Sequence, residues 1–289
     1  MSTFHTGRGI QHSMCRLLGI VSSQPVAYRL YLREAPRSLA QLSEQHPDGW
    51  GAAIFDPIQK WSIYKRAACA HRDESFHDLA VASRGVLLVA HIRQRTIGAA
   101  SIDNTHPFMS GAWVFAHNGT IKDTTHLRRA TSPERAAQIV GDTDSEQLFA
   151  FLLTRLDQAG LSGNAVCEAT DRVIAEAVRE LHNITDLGAY NFLLAAGDSI
   201  YVHRFGRSLF LLEQDAAHGS AVRHSNETGS DVDFPEACAA IFVASEAMTD
   251  ENWREIPDGM LLRLKRGARV TYRSLVGAPQ SLLASQATR

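Results

Sequence analysis

The apolar segments of this 289-residue chain fall in an order that few folds accommodate: short strands, then two long helices in the middle, then strands again. Strand-like runs stand at residues 16–21, 51–55, 61–64, 86–91 and 112–116, and again at 191–196, 199–203, 209–212, 241–244, 260–264 and 269–272. The spacing predicts helices over 36–45, entered through Pro36, and over 74–83. Ser132-Pro133-Glu134 marks another start, with serine as cap and proline in the first helical position. Thr143-Asp144-Ser145-Glu146 has capping-box form and opens a helix to about residue 156. Over 171–182, Val173, Ile174, Ala177, Val178 and Leu181 share one face of a further helix. A doubly wound parallel sheet would alternate strand and helix regularly, and this chain does not. The order predicts an α+β fold: two antiparallel sheets with helices on their outer faces. Residues 213–236 read as a polar loop.

Charge and cysteine usage narrow the function classes. Lys and Arg number 29 against 31 Asp and Glu, scattered along the chain, so no nucleic-acid or membrane surface is expected. No segment approaches the ~18 apolar residues of a membrane-spanning helix. The cysteines, Cys15, Cys69, Cys167 and Cys238, lie far apart, and none has the spacing of a zinc knuckle or of a disulfide framework. The histidines form no metal-ligand pattern. The expectation is a cytoplasmic protein with no metal and no cofactor. Residues 1–14 are polar and aperiodic. They read as an extension that is disordered, processed or a misassigned start, ahead of a single domain over 15–289.

Several short motifs carry chemistry, each with a plain structural reading beside it. Cys15, inside the chain, is a small buried hydrophobe. At a chain terminus its thiol would sit beside its own α-amine, whose pKa of about 7.7–8.0 suits it to take the thiol proton. Asn118-Gly119 between apolar runs is the signature of a type I′ turn. Functionally, an asparagine amide and a glycine N–H can aim at one developing oxygen charge. Arg93, after a buried strand, is either a solvated charge or a two-pronged clamp for a carboxylate. Asp144 suits the first turn of a helix on dipole grounds alone, or pairs with a ligand ammonium. His46-Pro47-Asp48-Gly49-Trp50-Gly51 and Asn104-Thr105-His106-Pro107-Phe108 read as turn chemistry.

Taken in order, these motifs resemble one family. Met14-Cys15-Arg16-Leu17-Leu18-Gly19, Asp48-Gly49-Trp50-Gly51, His91-Ile92-Arg93-Gln94-Arg95-Thr96-Ile97-Gly98, Asn104-Thr105-His106-Pro107-Phe108, Ala116-His117-Asn118-Gly119 and Thr143-Asp144-Ser145-Glu146 resemble the class II glutamine amidotransferases, in their YafJ-like stand-alone branch. Val243-Ala244-Ser245-Glu246, Trp253 and Pro257-Asp258-Gly259 extend the likeness to about Leu264. The resemblance implies the four-layer αββα sandwich of the N-terminal-nucleophile hydrolases. It implies Cys15 as nucleophile, Asn118 and Gly119 as oxyanion donors, Arg93 with Thr96 beside it for the α-carboxylate of glutamine, and Asp144 for the α-amine. His117 joins the substrate-binding set with them. The implied reaction passes through a γ-glutamyl thioester and releases glutamate with ammonia or an amine. The substrate is small, and a separate synthase or ammonia-accepting partner is a candidate. Two departures stand out: Gln94 occupies a place where synthase-linked members carry an aromatic, and fourteen residues precede Cys15. Two alternatives stay open. One is a hydrolase of a glutathione-like γ-glutamyl thiol. The other is a non-catalytic γ-glutamyl-binding or regulatory subunit whose nucleophile is blocked.

Overall fold

The sides of the first strand already dictate a layered arrangement. In β1 (Arg16–Ala27), Leu17 and Val21 point to one face and Leu18 and Ile20 to the other, and all four are buried. A strand apolar on both faces must be covered on both. The computed structural model describes residues 15–95, 99–163, 165–214, 223–224, 231–232 and 238–277. In chain order β1 is followed by α1 (Leu39–Ser43), β2 (Gly49–Asp56), β3 (Lys60–Arg66), α2 (Glu74–Ala82), β4 (Arg84–Arg93), β5 (Phe108–Ser110) and β6 (Trp113–Ile121). The helical middle comprises α3 (Thr125–Ala130), α4 (Pro133–Ala136), α5 (Asp144–Gln158) and α6 (Glu168–His182). Then come β7 (Gly188–Ala196), β8 (Ser199–His203), β9 (Phe210–Gln214), β10 (Arg223–His224), β11 (Asp231–Val232), β12 (Ala240–Ala244), β13 (Arg254–Glu255), β14 (Leu261–Lys265) and β15 (Thr271–Val276).

Two antiparallel sheets face each other. One has the order β13-β9-β12-β1-β4-β2-β3 and the other β15-β14-β8-β7-β6-β5. Between them Leu17, Val21 and Val89 meet Val114, Leu193 and Val202. Leu18, Ile20, Leu88 and Trp50 face outward, onto Leu39 of α1 and Phe76 of α2. On the far side Phe115, Phe192 and Leu194 are covered by Leu148 and Phe151 of α5 and by Ile174 and Val178 of α6. The layers are therefore αββα, as the element order and the resemblance both led us to expect.

Several local expectations change. The helix expected over 36–45 begins only at Leu39: Ala35, ahead of proline, is extended, and Ser38 caps the helix by accepting from Gln41 N–H. A π-helical turn at Leu30–Glu34 precedes it. The strand expected over 112–116 runs on to Ile121, so Asn118-Gly119 is no hairpin turn: Asn118 pairs with Asn191 and Gly119 with Tyr190 in mid-strand. The polar loop contains the last residues of β9 and the paired strands β10 and β11; its remainder, like residues 1–14, lies outside the described residues.

Two glycines of β2 explain a motif that looked like turn chemistry. A Cβ at Gly51 would fall 2.1 Å from the His106 carbonyl oxygen, and one at Gly49 would fall 2.9 Å from Thr105 Oγ1. The Asp-Gly-Trp-Gly pattern thus leaves room for the 104–107 segment to lie directly on the sheet, while Trp50, on the opposite face, buries itself against Phe76.

Candidate active site

The residue just ahead of β1 lies at the sheet end where β4 and β12 also finish. The registers Arg16↔Ile92, Leu17↔His91 and Leu18↔Ala244 place it there. Cys15 Sγ accepts from Gln94 N–H at 3.2 Å and donates to Gln94 O at 3.2 Å. Burial pushes the thiol up to about 11, against the opposing pull of the Gln94 backbone N–H and the Arg93 charge. At neutral pH it is therefore a protonated thiol that needs a base to become a nucleophile. Gln94 is itself fixed: His46 Nδ1 donates to its Oε1 at 2.5 Å, and Arg95 N–H donates to Asp48 Oδ2 at 2.8 Å. Arg16 forms an ion pair with Glu246 at 2.5 Å.

Asn118 reaches this end from the other sheet. Its Nδ2 donates to Ser245 Oγ at 3.3 Å, and the same hydroxyl accepts from Leu17 N–H at 2.9 Å. Ser245 N–H returns to Leu17 O at 3.1 Å. Ser245, directly after β12, therefore joins the strand that follows Cys15 to Asn118 across the sandwich. Gly119 has no room for a side chain, since a Cβ would fall 1.9 Å from Ala189 O and 2.9 Å from His117 Nε2. His117 is buried and its pKa is lowered, chiefly by that burial, with the Asp144 charge opposing. As a neutral ring it donates from Nε2 to Ala189 O at 3.4 Å, which leaves Nδ1 to accept from Ser145 Oγ at 2.8 Å.

The two charged candidates are rigidly seated. Arg93, the last residue of β4, is 3% exposed and donates from its guanidinium to Ala99 O at 2.8 Å. Burial lowers its pKa, with Cys15 and Asp48 the largest opposing influences. Asp144 opens α5 behind its cap Thr143, and its Oδ2 accepts from Ile121 N–H at 2.7 Å. It borders a groove of about 470 Å³ whose other walls include Lys122, Arg128, Asp142 and Gln147. Thr96 lies outside the described residues.

Of the residues singled out from sequence, Cys15 and Arg93 adjoin Gln94, Asn118 is linked through Ser245 to the strand that follows Cys15, and His117 meets Ser145 beside Asp144. Sequence reasoning gave His46 and Asn104 turn chemistry and Ser245 a place in the resemblance, but assigned none of them a role at the site. Each acts by gripping a group far away in the chain, and no local pattern announces that. A buried thiol beside a cation, with an asparagine amide and a glycine on the facing strand, suits acyl transfer.

Comparison with known proteins bears on this arrangement. A family model described as "Glutamine amidotransferases class-II" matches residues 14–287. The chain is 27% identical over 272 residues to the gamma-glutamyl-hercynylcysteine sulfoxide hydrolase of Mycobacterium tuberculosis, covering 89% of this chain and 96% of that protein. It is 27% identical over 295 residues to the "Probable glutamine amidotransferase DUG3" of Saccharomyces cerevisiae, covering 88% and 82%. Its fold matches the 2.0 Å crystal structure of a predicted glutamine amidotransferase from Pseudomonas aeruginosa PA01 with a TM-score of 0.62 and 25% identity, over 90% of this chain and 100% of that one.

Proposed function

The chain belongs to the class II glutamine amidotransferase family, and from that premise we propose that it is an amidohydrolase cleaving the γ-glutamyl amide of glutamine or of a related γ-glutamyl compound, with Cys15 as nucleophile. The observation that carries the reading is that one Ser245 hydroxyl holds both the strand that follows Cys15, at Leu17 N–H, and the Asn118 amide at one end of the sandwich.

The reaction follows from the groups present. The α-amine of a chain beginning at Cys15 takes the thiol proton. Sγ then attacks the γ-carbonyl carbon, and the electron pair of the C=O bond moves to oxygen. Asn118 Nδ2 and Gly119 N–H donate to that oxyanion. The protonated α-amine delivers its proton to the leaving nitrogen, the C–N bond breaks, and ammonia or an amine departs from a γ-glutamyl thioester. Water adds to the thioester carbonyl and gives a proton to the α-amine. The C–S bond then breaks, the proton returns to sulfur, and glutamate is released. Arg93 holds the α-carboxylate and Asp144 the α-ammonium throughout. His117, neutral, accepts from the Ser145 hydroxyl beside Asp144 and packs under Gly119. The freed ammonia or amine passes to a separate acceptor or is simply shed.

The test is glutamate release from glutamine and from γ-glutamyl peptides by protein whose first residue is verified as Cys15. Turnover lost by at least about 10³-fold in Cys15→Ala is the expected result. Turnover retained in that variant overturns the reading. Thermal stabilisation by glutamine without release of glutamate, in verified Cys15-terminal protein, favours instead a binding subunit.

A further inference from the structure

The two substrate-holding residues sit on different chain segments, and a single buried side chain ties those segments together. Asn104 is 3% exposed. Its Nδ2 donates to Ala99 O at 3.1 Å, and that carbonyl also accepts from the Arg93 guanidinium at 2.8 Å. The same Nδ2 donates to Asp142 Oδ1 at 2.6 Å, and Asn104 Oδ1 accepts from Asp142 N–H at 3.0 Å. Asp142 lies two residues ahead of Asp144. The turn between is locked in its own right: Val140 N–H and Gly141 N–H both donate to Glu146 Oε1 at 3.1 Å. A Cβ at Gly141 would fall 2.2 Å from Asn104 Oδ1 and 2.4 Å from Glu146 Oε2, so the junction is packed shut.

Both amide protons of Asn104 and its oxygen are thereby used, one end on the backbone that seats Arg93 and the other on the turn that delivers Asp144. No other residue type of this size fits. Aspartate would turn an acceptor toward both Ala99 O and the Asp142 carboxylate, and leucine would withdraw both donated hydrogen bonds, leaving Ala99 O to Arg93 alone.

We propose that Asn104 is a positioning residue that fixes the spacing between Arg93 and Asp144, and so makes the site selective for acyl groups carrying both an α-carboxylate and an α-amine. The inference rests on the roles given above to Arg93 and Asp144. Its physics is that of any two-point grip. The second contact adds to the first only if the distance between them is set before the ligand arrives; where the segments move independently, the ligand must order them.

The experiment uses three p-nitroanilides with one leaving group and different acyl groups: L-γ-glutamyl, glutaryl (no α-amine) and 4-aminobutyryl (no α-carboxylate). In Asn104→Ala, kcat/KM for the γ-glutamyl substrate falls about tenfold or more, mainly through KM, while the two truncated substrates change by less than about threefold. Discrimination therefore collapses, which a general loss of folded protein would not produce. Asp142→Ala cuts the same link from the other side, carries the same expectation, and serves if Asn104→Ala does not fold. Unchanged discrimination in a folded variant overturns the proposal alone. A wild-type enzyme that fails to discriminate among the three overturns the roles of Arg93 and Asp144, and the proposal with them.

Discussion

Asn118 Nδ2 donates across 3.3 Å to the hydroxyl of Ser245, a contact that spans the two sheets and ends on the residue that also caps Leu17 N–H. The oxyanion donor of the proposed mechanism is therefore aimed from behind by a serine 127 positions away. Ser245→Ala removes that acceptor. We expect kcat to fall about tenfold with KM little changed, since the loss bears on the developing charge rather than on the bound acyl group. Leaving Leu17 N–H unpaired should also cost about 1–3 kcal/mol of stability. Steady-state kinetics with a urea melt checks both, and an unchanged kcat would detach Ser245 from the role.

The pH profile separates the base from the nucleophile. Burial holds the Cys15 thiol up at about 11, far above the operating range. If the α-amine is the working base, kcat/KM rises with pH through an apparent pKa near its own value, about 7.7–8.0, and then levels. A profile that keeps climbing toward the thiol's own pKa would show that a preformed thiolate, and not an amine-assisted thiol, attacks. Iodoacetamide modification of Cys15 offers a second readout on the same axis.

Acid should destabilise the fold before most carboxylates titrate. His91 and His203 are pulled down to about 3 by burial, and His106, whose ring nitrogens have no hydrogen-bond partner among the described residues, is lowered well below its ordinary value for the same reason. In the unfolded chain each titrates near its ordinary 6.5. Below that pH the unfolded state binds protons that the folded state refuses, so stability rises with pH through the window from about 3 to 6.5 and falls as pH drops through it. Each such histidine contributes a slope of up to about 1.4 kcal/mol per pH unit. Urea titrations at pH 7, 6 and 5 measure it, and His106→Phe should reduce the slope by about one proton.

Gly51→Ala should disturb the site through the segment that lies against β2. The added methyl would lie 2.1 Å from His106 O, so the 104–107 segment, with Asn104 in it, must shift. A loss of about 1–3 kcal/mol is expected from overpacking of this kind. Loss of discrimination like that of Asn104→Ala should accompany it. Full stability in Gly51→Ala would mean that the segment yields freely.

Much of the layered fold was legible from residues alone. The strands over 86–91 and 199–203 and the helices opened by Thr143 and near Asp171 are local events, in which periodicity and caps decide. The misreadings were also local. Pro36 drew the helix start three residues early, because Ser38 supplies the cap that proline cannot. Asn118-Gly119 carries the signature of a turn, yet pairing with Asn191 and Tyr190 keeps it in strand.

By itself the sequence determined the element order, the apolar faces that demand four layers, and the candidate residues Cys15, Arg93, Asn118, Gly119, His117 and Asp144, through short motifs whose chemistry is local. Only the tertiary structure decided what holds those residues in place: Gln94 and His46 behind the thiol, Ser245 behind Asn118, Asn104 between the segments of Arg93 and Asp144. The reason is physical. A hydrogen bond between residues that lie 38 or 127 positions apart leaves no periodic trace in a chain, because neither partner's neighbours need resemble the other's. Such a contact exists only once the sheets have packed and brought the two groups within about 3 Å.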